Sequence, residues 1–155
     1  MSFFLTAQKI IKDWTDYNNH MNLSYYILVF DRGAEIILSK FKMGEHSAKT
    51  TKKSTMAVET YTSYNNEVKE GDEVDIYLSY CGHDKKRVLL KFEMYDKVKN
   101  TLSSTTEVLY LYVDLNIRKV TEFEKEKITI MDQFIEENKS RFKFDNLKFS
   151  NRLKK

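Results

Sequence analysis

Apolar positions change their spacing as the chain is followed from its start. Between Leu23 and Phe41 they recur every three or four residues, through Tyr26, Ile27, Phe30, Ala34 and Ile37, on one face of a helix of about five turns. A stripe this long predicts a largely buried helix. Lys40 and Lys42 fall near its negative end, and Gly44 is the expected stop. The basic, polar segment "HSAKTTKKS" that follows reads as an exposed connection.

The period then drops to two. Met56, Val58, Thr60 and Thr62 alternate with Ala57, Glu59 and Tyr61, and Val74, Ile76, Leu78 and Tyr80 alternate with Asp75, Tyr77 and Ser79. Val88, Leu90, Phe92 and Met94 mark a third strand, and "STTEVLYLYVDL" a fourth. The segments between them, "KEGDE", "CGHDKK" and "DKVKNT", are short and turn-like, which suits antiparallel neighbours. Ala7 to Thr15 reads as a further strand at the sheet edge. Past Val120, "EFEKEKITIMDQFIEENK" carries a thin apolar stripe of Ile128, Met131 and Ile135, as a surface helix would. The expected class is α+β, with one apolar helix lying on one antiparallel sheet.

Composition narrows the partners. With 155 residues, 41% of them hydrophobic and 14% aromatic, the chain can bury a core, and no shift in composition divides it, so a single domain over 1–155 is expected. The net charge is +3. Residues Ser140 to Lys155 hold six basic side chains against Asp145 and contribute +5, which leaves about −2 on the body. The surplus thus sits on a basic tail, 141–155, read here as a loose end, and a nucleic-acid partner is not expected. Cys81 is the only cysteine, so no internal disulfide is possible and a reducing compartment is implied. The first residues hold too short an apolar run for a signal peptide, and nowhere do 18 apolar residues run together. A cytoplasmic protein with no membrane partner is expected. His46 and His83 fall in predicted loops without metal-site spacing, and no phosphate loop, dinucleotide fingerprint or nucleophile elbow occurs.

Candidate chemistry gathers at "WTDYNNHMNLSYYILVF", Trp14 to Phe30, where an acid, three asparagines and a histidine precede the apolar helix. Asp16 and Asn22 are residue types that favour turns and helix caps. A carboxylate at a helix N-terminus, where unpaired N–H groups and the positive dipole end lie, can also attack a carbonyl or activate water. The segment "WTDYNNHMN" resembles the "W-x-D-Y-N-G-H-M-N" of the betainyl-CoA thioesterase group, within the 4-hydroxybenzoyl-CoA thioesterase-like branch of hotdog enzymes. Likewise "VETYTSYNNEVKEGDEV" is similar to that group's "V-E-T-H-I-x-Y-L-x-E-V-x-x-G-D". The similarity runs from about Trp14 to Val120.

The resemblance implies a hotdog fold, an antiparallel sheet wrapped around the long helix, and hydrolysis of a small or medium acyl-CoA thioester without metal or redox cofactor. Asp16 becomes the nucleophile or general base, and His20 its neighbour at the carbonyl. Asn22, Tyr25, Glu59 and Tyr61 become candidate substrate-binding residues, with Glu35 on the helix a minor rival to Asp16. Asp31 reads as part of the polar helix face. Asn19 replaces the group's glycine, which an asparagine in a left-handed conformation allows. Tyr61 replaces a histidine, and Asn65 a leucine. The aromatic residues near the motif suit either core packing or a quaternary ammonium group. A homodimer or dimer of dimers is implied. A carrier-protein thioesterase, with "HSAKTTKK" as landing site, and a non-catalytic acyl-CoA-binding protein are the alternatives.

Overall fold

A computed structural model describes residues 1–154. The chain runs β1 (Phe3–Lys9), α1 (Leu23–Lys40), α2 (Glu45–Thr51), β2 (Lys53–Tyr64), β3 (Glu73–His83), β4 (Arg87–Asp96), β5 (Thr101–Asp114), β6 (Lys119–Val120) and α3 (Lys125–Asn138). All strand pairings are antiparallel, in the order β1-β3-β4-β5-β2, with β6 paired to the end of β5. The expected hairpins β3–β4 and β4–β5 are both present. The edge strand lies earlier than its expected place at Ala7 to Thr15, because "FFLTAQK" supplies the side chains that pair with Glu73 to Leu78.

Helix α1 lies on the inner face of this sheet. It buries Tyr26, Val29, Phe30, Gly33, Ala34, Ile37 and Leu38, and Phe30 meets Phe92 of β4 at 6.3 Å between ring centroids. Gly33 marks the closest approach: a Cβ there would stand 2.9 Å from Ile76 Cγ2 on β3. Two residues of the predicted stripe, Leu23 and Ile27, remain 65% and 40% exposed. They do not belong to the core of this chain.

The helix stops before Gly44. Lys42 takes the left-handed conformation, the Met43 N–H donates to Leu38 O and the Lys42 N–H to Ser39 O, a six-to-one and five-to-two pair that ends the helix at Lys40. Gly44 instead opens α2, so the segment expected to be a plain connection is a short helix, and His46 lies on it. His83, expected in a loop, closes β3.

In β2 the alternation breaks at a bulge between Ala57 and Glu59. Ala57 and Thr60 therefore both face inward, rather than Met56, Val58 and Thr60 together. Helix α3 brings Phe134 against Phe3 and Phe41 at 5.2 and 5.4 Å and buries Met131 fully, which closes one end of the sheet.

The basic tail is not loose. It crosses the outer sheet face as a strap. The Lys143 N–H donates to Ser79 O, and the Lys148 and Phe149 N–H groups donate to the two oxygens of Glu107, each at 2.7 Å. Further along, Arg152 grips Glu59 through Nε and Nη2 at 3.0 and 3.2 Å, and the Lys154 N–H donates to Asp84 at 2.9 Å.

Candidate active site

Residues 14–22 form a small closed turn ahead of α1. Thr15 bridges Met21, the Asp16 N–H donates to His20 O, and the Asn19 N–H donates to Asp16 O. Asn19 is left-handed at φ 63°, so asparagine does serve where a glycine was the expected residue. The turn is anchored to the fold by the Met21 N–H on Val68 O and the Asn22 N–H on Trp14 O.

Asp16 is partly exposed, and its Oδ1 accepts the Asn18 N–H at 2.8 Å. That bond is the turn-forming role expected of an aspartate here. It occupies one oxygen; Oδ2 has no partner among the described residues and stays available. His20 Nε2 lies 2.7 Å from Glu67 Oε2 on the β2–β3 connection, and His20 also bridges Lys69. Glu67 was not picked out in the sequence, since nothing in its spacing links it to residue 20.

Asn22 is the N-cap of α1: its Oδ1 accepts the Ser24 N–H at 3.1 Å and the Ser24 hydroxyl at 2.8 Å. Such a cap is worth about 1 kcal/mol. The Leu23 N–H, between them, donates to no described residue. A free donor at the positive end of an 18-residue helix suits an oxygen that gains negative charge. Tyr25 stacks on Trp14 at 5.9 Å and 18°, and Arg32 covers that indole at 5.2 Å from its centroid. Asp16, His20, Asn22 and Tyr25 thus belong to one structural unit.

Glu59 and Tyr61 do not join it. Both face the outer side of β2, where Glu59 is held by Arg152 and the Tyr61 ring lies 4.9 Å under Lys148 Nζ. Glu35 is likewise engaged: one oxygen accepts the Ser39 hydroxyl at 3.0 Å and the Glu45 N–H at 2.7 Å, which ties α1 to α2.

Between α1 and the sheet lies a cavity of about 70 Å³, walled chiefly by Ile27, Phe30, Phe92, Val108 and Tyr110, with Thr60, Thr106 and Asp31 as its polar lining. Asp31, expected on the polar helix face, is exposed there and also edges this cavity. Burial, and then the charge of Glu35, raises its pKa above the ordinary carboxylate value. Tyr110 is buried, and the same causes, burial first and then Asp31 and Glu35, raise its pKa. The helical spacing Ile27–Asp31 was the signal that this carboxylate shares a side with the apolar stripe. Among the described residues, no group of three or more His, Cys, Asp or Glu is placed to hold a metal. Among the described residues, no helix is long and apolar enough to cross a membrane.

A curled antiparallel sheet on one long helix, with a carboxylate turn at the helix mouth, is the hotdog arrangement of thioester hydrolases. The sequence profile of the Thioesterase-like superfamily matches residues 11–144, and the chain belongs to that family. Within it, the chain is 25% identical over 142 residues to betainyl-CoA thioesterase of Pseudomonas aeruginosa, covering 90% of this chain and 89% of that protein. Among solved structures, a Staphylococcus aureus protein in complex with CoA superposes with a TM-score of 0.81 at 18% identity, over 100% of this chain and 96% of the other. A putative thioesterase of Pseudomonas putida gives 0.80 at 19% identity over 96% of each chain. The 1,4-dihydroxy-2-naphthoyl-CoA thioesterase of Synechocystis gives 0.74 at 13%, over 85% and 96%.

Proposed function

We propose that this protein hydrolyses small acyl-CoA thioesters, with Asp16 as the reacting carboxylate. The observation that supports the reading is that a turn with an available Asp16 oxygen leads into a helix whose first N–H, that of Leu23, has no described partner, in a member of a thioesterase family. The thioester oxygen takes the Leu23 N–H, where the helix dipole stabilises the charge that develops on it. Asp16 then attacks the carbonyl carbon or takes a proton from an attacking water. A C–O bond forms, the C–S bond breaks, and CoA leaves as thiolate to be protonated; where Asp16 attacks, water then hydrolyses the acyl–Asp16 anhydride to release the acid. His20, braced by Glu67, shapes the turn that presents Asp16. No metal or redox group is called on; CoA enters as part of the substrate.

The working unit is a homodimer. Strand β2 is an unpaired end of the sheet, Met56 and Val58 on it stay 41% and 48% exposed, and Leu23 and Ile27 of α1 are exposed as well. A second copy docked on this side covers both the strand edge and the apolar stripe. The acyl group is proposed to be of the kind named for the Pseudomonas aeruginosa relative, short and bearing a quaternary ammonium. The buried thiol of Cys81 fits a cytoplasmic setting.

The test is a panel of acyl-CoA esters assayed with the wild type and Asp16→Asn. Loss of a catalytic acid–base group predicts a drop in turnover of about a hundredfold or more. Unchanged turnover in the variant removes Asp16 from the mechanism, and a wild type that hydrolyses no ester in the panel overturns the enzyme reading.

A further inference from the structure

We propose that Asp31 selects the acyl group by pairing with a positive charge on it, and that it does so across the dimer, for a thioester held at the partner subunit's helix start. This inference rests on the thioesterase and dimer readings above.

The cavity between α1 and the sheet has one charged residue in its lining, Asp31, and no lysine, arginine or histidine. Asp31 makes no ion pair or hydrogen bond with any described residue. Its neighbour Arg32 turns to Gln8 Oε1 at 2.8 Å and to the Trp14 ring, so it offers no counter-charge. Tyr110, only 6% exposed, lines the same cavity, and its hydroxyl has no partner among the described residues. Asp31 stands exposed at the rim of this cavity, and neither its carboxylate nor the Tyr110 hydroxyl has a protein partner among the described residues. An anionic acyl group is repelled from such a place. A neutral one fills the apolar walls but covers the carboxylate without compensating it, which costs free energy. A cation satisfies Asp31, and the Phe30, Phe92 and Tyr110 rings offer faces that attract it further.

Reach decides which protomer supplies the residue. Asp31 stands eight residues beyond Leu23, about 12 Å along the helix axis. In a betainyl ester the ammonium nitrogen is two bonds from the carbonyl carbon. A carbonyl bound at Leu23 therefore cannot place that nitrogen against Asp31 of its own helix. With Ile27 exposed beside the cavity, on the side the second copy covers, the partner's substrate has access to it.

The experiment compares betainyl-CoA with 3,3-dimethylbutanoyl-CoA, its uncharged isostere. The wild type is expected to favour the cationic ester in kcat/KM by about tenfold or more, and Asp31→Asn to lose about ten- to a hundredfold on that ester alone. Asp31→Glu retains the preference. Equal losses on both esters in Asp31→Asn, or a wild type that favours the neutral ester, overturn the proposal and leave the thioesterase reading standing. If no acyl-CoA is turned over at all, both fall. Mixed dimers of Asp16→Asn and Asp31→Asn protomers, isolated with two affinity tags, address the crossing. One complete site per mixed dimer predicts close to half the wild-type turnover of betainyl-CoA; no gain over the two parent variants overturns the cross-subunit assignment.

Discussion

Glu107 is the staple of the C-terminal strap, and its removal gives a sharp test of the outer sheet face. The side chain is 1% exposed, on β5, directly across from Lys91 on β4 and Tyr61 on β2. Both of its oxygens are used by backbone N–H groups, those of Lys148 and Phe149, each at 2.7 Å. Hydrogen bonds to a charged group contribute about 1.5–3 kcal/mol each. Against this, a released strap regains chain entropy, and its N–H groups and the carboxylate regain water. The expected net loss for Glu107→Ala is about 2–4 kcal/mol, or about 5–15 °C in Tm for a domain of this size. Glu107→Gln keeps the shape, loses the charge and turns an NH2 toward one N–H donor, so it forfeits about half of this or more. Urea unfolding at neutral pH measures the stability. Brief tryptic digestion, which cuts after Lys143, Lys148 and Arg152 only in a freed strap, measures the docking. A Glu107→Ala protein within about 0.5 kcal/mol of wild type and equally resistant to trypsin would refute the staple.

Two further variants probe other joints. Burial opposes ionisation of Asp84, yet hydrogen bonds from the Lys154, Lys86 and Arg87 N–H groups and the Arg87 guanidinium hold its pKa below the usual aspartate value. A depressed folded-state pKa gives stability that is present above the unfolded value, near 4, and lost as pH falls through the folded value. Wild-type stability is therefore expected to decline below about pH 4, and Asp84→Asn, weaker at pH 7, to show a shallower decline in urea titrations; parallel slopes sink the assignment. Gly33→Ala sets the gain in helix propensity, about 1 kcal/mol, against a 2.9 Å contact with Ile76, so a net loss of about 1–2 kcal/mol is expected in thermal unfolding, and a stabilised variant contradicts the close approach.

Helix α1 and strands β3 to β5 were legible in the sequence because each buries one face, which imposes its period. Where the reading slipped, the period carried two meanings. Leu23 and Ile27 repeat at helical spacing with Tyr26 and Phe30, but an exposed apolar stripe obeys the same spacing as one facing the core. In β2 the bulge at Val58 inserts one residue, so Met56 and Val58 do not share the inner face that Thr60 and Thr62 hold. The stop of α1 was missed because Lys42 took a left-handed role that glycine usually holds. Charge alone made the tail look free. Its hold on the sheet comes chiefly from backbone N–H groups and buried carboxylates, which composition does not reveal.

The same distinction explains which of the candidate residues lie together. Asp16, His20, Asn22 and Tyr25 lie within ten residues, and a turn followed by a cap imposes local rules that a motif can carry. Glu59 and Tyr61 were drawn toward the site by a strand motif, yet a strand offers two faces, and Arg152 and Lys148 hold these two side chains to the outer one. Asp31 and Tyr110 lie 79 positions apart, on different elements, and meet only because α1 packs into the curl of the sheet. The carboxylate proposed to react is thus set by local sequence, while the chemistry of the cavity under α1 is set by packing. If Asp31 selects the acyl group as proposed, the turn at Asp16 can stay fixed while substitutions at positions 31 and 110 change the cavity, since neither makes a bond on which the turn depends.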